Sequence, residues 1–199
     1  MAPEFLDFIN FVVALVAVVT VHECSHAWTA NKLGDPTAKI AGRISLNPLH
    51  HLDPIGTIML FLIHIGWGKP VPVNPHYFKN PKRDEAITAL AGPLSNLVLA
   101  MVLALPLKYF GQTMPLELFQ LLLTTLDVAI VLFIFNILPF PPLDGSKILF
   151  SLLPYSMHDL RNFLEQNGFY ILIFFVFFLW QFLLPLISLE FNLITGSVA

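Results

Sequence analysis

From Glu4 to Leu33 the chain is almost continuously apolar until a polar cluster at positions 22–26, a pattern that predicts one long helix ended by Gly34-Asp35-Pro36. Positions Ile40–Leu46 read as a short strand. The apolar run Ile55–Ile65 has eleven residues. As helix that is about 16 Å, against roughly 30 Å of hydrocarbon, so it suits a re-entrant element. Residues 66–75, GWGKPVPVNP, alternate around prolines as an edge strand would, over Trp67–Val73. A second long helix is predicted over about Arg83–Tyr109, interrupted at Gly92-Pro93, and a third over about Leu116–Leu138. The run PFPPLDG then precedes a short helix at Ser146–Leu153, while 157–166 is amphipathic at best. The segment from Phe169, YILIFFVFFLWQFLLPLISL onward, reads as a fourth span over about 168–190. The expected fold is all-α and polytopic. It has about four full transmembrane helices, short re-entrant or half helices and a small membrane-associated β element, all in one domain over 1–199.

Composition strengthens the membrane assignment. Hydrophobic residues make up 56% and charged residues 12%, with mean hydropathy +0.75, about half the usual charge density of a soluble domain, roughly 25%. A net charge of -3 offers no basic footprint for nucleic acid. The one cysteine, Cys24, excludes an intrachain disulfide framework. Positive charge is distributed unevenly. Lys32, Lys39, Arg43, Lys69, Lys79, Lys82, Arg83, Lys147 and Arg161 would lie on one side of the membrane and Lys108 alone on the other. That asymmetry places the loops at 34–80 and after 138 in the cytoplasm, and both termini outside it.

Within the first helix stands His22-Glu23-Cys24-Ser25-His26, an HExxH. His22 and His26 are i and i+4 on one helix face, where two imidazoles can hold one zinc, and Glu23 lies about 100° round. Ionisable residues inside a span are costly and mark function by default. A catalytic zinc site normally has three protein ligands and a water. The candidate third ligand at matching depth is Asp144, in Asn136-Ile137-Leu138-Pro139-Phe140-Pro141-Pro142-Leu143-Asp144-Gly145, where the third long helix breaks. Irregular backbone at that depth is tolerated only against protein or a water-filled cavity. Asp127, His64, His50 and His51 are weaker candidates, each more readily read as a structural polar group. Cys24 lies off the ligand face.

These residues resemble the site-2 proteases, peptidase family M50, zinc metalloproteases that cut within membranes. The resemblance rests on HExxH at 22–26, on an NxxPxxPLDG pattern at 136–145, and on Gly92, Pro93 and Asn96 of AGPLSN as a GPxxN-like motif. It implies zinc on His22, His26 and Asp144, Glu23 as catalytic base, and Asn96 as a catalytic contact to substrate backbone or oxyanion. It also implies transmembrane segments of other membrane proteins as substrates, presented beside Ile40–Leu46 and Trp67–Val73 in a bacterial or archaeal cell membrane. Only about 20 residues precede His22, and no PDZ or CBS domain is expected, which matches the minimal group of the family. A homodimer stays open. The other classes are a catalytically silent helix-binding scaffold and a small transporter. The complete ligand set argues against both, and paired broken helices, which a transporter would show, are absent from the pattern.

Overall fold

The structure is a computed structural model that describes residues 3–63 and 68–195. Among the described residues, three helices are long and apolar enough to cross a membrane. They are α1 (Pro3–Leu33), α4 (Pro81–Phe110) and α5 (Leu116–Ile137). Between the first two lie a one-turn helix, α2 (Thr37–Ile40), and a ten-residue helix, α3 (Pro54–Ile63). After them come α6 (Asp144–Leu152), α7 (His158–Phe174) and α8 (Leu184–Thr195).

The core is a three-helix contact of α1, α4 and α5. Ala14 and Val18 meet Ala100, Ala104 and Leu107 from α4, and Leu126, Ala129, Ile130 and Ile134 from α5. Lipid tails are as apolar as leucine, so burying apolar surface does not drive helices together there. Close packing of small side chains does, and four of these nine residues are alanines exposed by 3% or less. The large side chains face outward instead: Val13, Val98, Val102 and Leu105 are all exposed, as suits a helix whose other face meets acyl chains.

Three expectations are corrected. First, three span-length helices are present among the described residues, not four. The C-terminal apolar run forms α7, a five-residue π turn at Phe175–Leu179, a 3-10 turn at Trp180–Phe182, and α8. Pro185, which lacks the N–H that would continue a ladder from upstream, sits in the first turn of α8, where that loss is harmless. Leu183, Ile187 and Phe191 pack back onto the core.

Second, no β-strand exists among the described residues. Thr37–Ile40 is helical, and 41–46 is turn and bend. The predicted strand at Trp67–Val73 keeps a single antiparallel bridge, Leu52 to Gly68, with Trp67 itself outside the described residues. Pro70 and Pro72 have no N–H to donate, and Arg43 occupies the carbonyls of Lys69 and Pro70, so a ladder has nothing to extend along.

Third, α4 runs unbroken through Pro93 and Pro106. Packing against α1 and α5 holds the helix where sequence alone suggests a break.

Candidate metal centre

Two helices and one fold-back bring the site together. His22 and His26 project from α1, and both are 7% exposed. Facing them on α4 are Thr88, Gly92 and Asn96, spaced i, i+4 and i+8 and therefore one stripe. A Cβ at position 92 would lie 2.3 Å from His26 Nε2 and 2.7 Å from His22 Cε1. Only glycine leaves room for two imidazoles there. Gly92 thus opens the cradle for the rings.

Asp144 arrives from the third direction. Leu143 caps α6, and Asp144 occupies its first position, where negative charge is favoured by the helix dipole. A Cβ at Gly145 would lie 2.2 Å from the Ile137 carbonyl oxygen and 2.4 Å from that of Leu138. That clearance lets α6 fold against the end of α5 and turns Asp144 inward.

The resulting triangle is tight. His22 Nε2 and His26 Nε2 are 3.0 Å apart, and each is 3.1 Å from Asp144 Oδ2. All three offered ligand atoms lie within 4.8 Å of one another. Ligands at zinc bond lengths in a tetrahedron are about 3.3 Å apart, so the donor set fits a zinc ion in both chemistry and spacing. A carboxylate ligand binds in its ionised form, and the place of Asp144 in the first turn of α6 favours that form.

The outer ring nitrogens have partners too. His26 Nδ1–H donates to the Thr88 carbonyl at 2.7 Å, which leaves Nε2 free for metal. On the other ring, Asn96 Nδ2 stands 3.1 Å from His22 Nδ1, and Asn96 Oδ1 is buried with no partner. Metal on His22 Nε2 requires a hydrogen on Nδ1, and the two orientations of a carboxamide have nearly the same shape. The amide turned to present Oδ1 accepts that hydrogen.

Glu23 faces the loop that follows α3. Its Oε2 accepts the Val71 N–H at 3.0 Å and lies 3.9 Å from Arg43 Nη2. Beside His22 and Glu23 a cavity of about 250 Å³ extends between α1, α3 and α5, with Leu15, Val19, Leu60, Leu132 and Phe135 among its apolar walls.

Of the sequence candidates, His22, His26, Glu23, Asn96 and Asp144 converge. Asp127 is exposed on α5, and His50 is exposed in its loop. His51 is fully buried, with Nε2 2.7 Å from the Ser45 carbonyl oxygen, a loop anchor. His64 lies outside the described residues. Sequence reasoning missed Arg43 and the Thr88 carbonyl. The one visible signal for Arg43 is a basic residue directly after Gly42 in a largely apolar loop. A backbone carbonyl carries no residue-type signal at all.

The sequence profile of peptidase family M50 matches residues 10–128 and again 107–179. The chain belongs to peptidase family M50. YwhC of Bacillus subtilis, a zinc metalloprotease by name, is 39% identical over 88% of this chain and 80% of its own length. Rip2 of Mycolicibacterium smegmatis, likewise a zinc metalloprotease by name, is 30% identical over 69% of this chain and 55% of its own. The zinc metalloprotease MJ0392 of Methanocaldococcus jannaschii is 28% identical over 72% of this chain and 34% of its own length. No solved structure matches the chain significantly. As an M50 member with its His-His-Asp triad assembled between apolar spans, the protein is an integral membrane, zinc-dependent endopeptidase.

Proposed function

We propose that the single domain over 1–199 hydrolyses transmembrane segments of other membrane proteins, with Glu23 as general base. The observation that carries this reading is the triad's convergence beside Glu23 at the mouth of an apolar cavity. His22, His26 and Asp144 would hold the zinc ion, which when bound would supply Lewis acidity toward a water and a carbonyl oxygen. Glu23 takes the proton from the attacking water and delivers it to the leaving amide nitrogen. Asn96, fully buried, serves the site through His22 by fixing its ring. The cavity receives an apolar side chain next to the scissile bond, and its walls keep bulk water from the site. A substrate helix must unwind locally first, because its own hydrogen bonds shield its carbonyls.

The charge asymmetry supports a cytoplasmic-side active site with the N terminus outside. The test is cleavage, in proteoliposomes, of a tagged single-span reporter of about 20 apolar residues with a central glycine pair that loosens its helix. Wild-type protein should cut it within the span. Glu23→Gln should lower the rate by about 10²-fold or more while zinc stays bound. A Glu23→Gln protein that cuts at the wild-type rate would sink the assignment.

A further inference from the structure

The loop over Glu23 is held by a buried cation that the reaction itself does not use. Arg43 is only 4% exposed. Its Nη1 donates to the Pro70 carbonyl at 3.0 Å, and Nη2 donates to the neighbouring Lys69 carbonyl. Nη2 also lies 3.9 Å from Glu23 Oε2, and Nε has no partner. Burying a guanidinium with one donor unmet is costly, so a residue of this kind needs a return beyond tying down a loop.

The gripped segment has an unusual donor pattern. In Lys69-Pro70-Val71-Pro72-Val73, the prolines remove two N–H groups. The Lys69 N–H goes to the His51 carbonyl at 2.8 Å, and beyond the segment the Asn74 N–H goes to Asp35 Oδ2 at 2.7 Å. Between those two anchors, Val71 donates to Glu23 Oε2. The two carbonyls on Arg43 belong to the residues directly before Val71, so the guanidinium sets the height of that N–H above the carboxylate.

We propose that Arg43 is a positioning residue for Glu23, gripping the Lys69–Pro70 backbone so that the Val71 N–H fixes the carboxylate's orientation. Oε2 is engaged by the loop, and Oε1 is left for the water. A planar fork can bridge two successive carbonyls and a carboxylate at once; a lysine ammonium cannot reproduce that geometry. The inference rests on Glu23 being the base, and it adds the residue that holds the base in place.

The experiment compares wild type, Arg43→Ala, Arg43→Lys and Glu23→Ala as full chains in detergent. It reads zinc per chain, kcat and KM on the glycine-loosened reporter, and amide hydrogen exchange at Val71. Arg43→Ala should keep about one zinc per chain, with KM within about twofold and kcat lowered about 10- to 100-fold. Val71 exchange should accelerate in Arg43→Ala and, with zinc retained, in Glu23→Ala. Arg43→Lys should restore part of both kcat and protection. If Arg43→Ala does not fold, Arg43→Lys and Arg43→Gln carry the same comparison. Wild-type kcat, unchanged Val71 protection, or loss of zinc together with activity would each overturn the proposal. An active Glu23→Gln protein would overturn the underlying reading instead, so the two failures are distinguishable.

Discussion

Gly92 is where a single methyl group does the most damage. A Cβ there would stand 2.3 Å from His26 Nε2, and that contact falls on a ring already fixed from behind by Thr88. Gly92→Ala should therefore lose zinc binding in a metal assay, while circular dichroism still reports the helices. Asn96 allows a finer test. A partner of a ligating histidine is worth about 10- to 100-fold in metal affinity. Competition with a chelator should show Asn96→Ala weakened by about that factor and Asn96→Asp close to wild type, because a carboxylate can accept from His22 Nδ1–H. An oxyanion role alone would leave the zinc affinity of Asn96→Ala untouched. At this scale the HExxH was legible because i,i+4 spacing is a local property of one helix. The roles of Gly92 and the Thr88 carbonyl were not, since both depend on where α4 settles against α1.

Among the elements, the fold-back of α6 decides whether there is a third ligand. Gly145 clears the Ile137 and Leu138 carbonyl oxygens by having no side chain. Overpacking of this kind costs about 1–3 kcal/mol, and relief by swinging α6 outward would carry Asp144 away. Gly145→Ala should lose zinc and activity together, with a lower melting temperature; full zinc content would show that α6 reaches the site by another geometry. Hydropathy and length made α1, α4 and α5 readable, because each has to match a bilayer thickness. The expected β element failed at Pro70 and Pro72, whose missing N–H groups matter more than the alternation around them. The fourth span failed for a related reason. Apolar content from Phe169 onward satisfies the bilayer, but it does not say whether the backbone runs as one helix through Pro185 or as separate pieces.

At the scale of the molecule, three span-length helices among the described residues, with an alanine-rich interior and large apolar residues outside, describe a protein built to meet lipid on most of its surface. Charge supports the orientation proposed for it: nine of the ten basic residues lie in segments that the proposal places in the cytoplasm. With Cys24 replaced by serine, a cysteine introduced at Lys39 should react with an impermeant thiol reagent only after the cytoplasmic face is opened. One introduced at Lys108 should react from outside. Reaction of both from the same side would refute the orientation. The central claim is that His22, His26 and Asp144 form one zinc site, and the metal content of detergent-purified protein tests it most directly. Measured beside Asp144→Ala after zinc is resupplied, wild type should hold about one zinc per chain and the variant substantially less. Equal zinc in both proteins, or none in either, would contradict it.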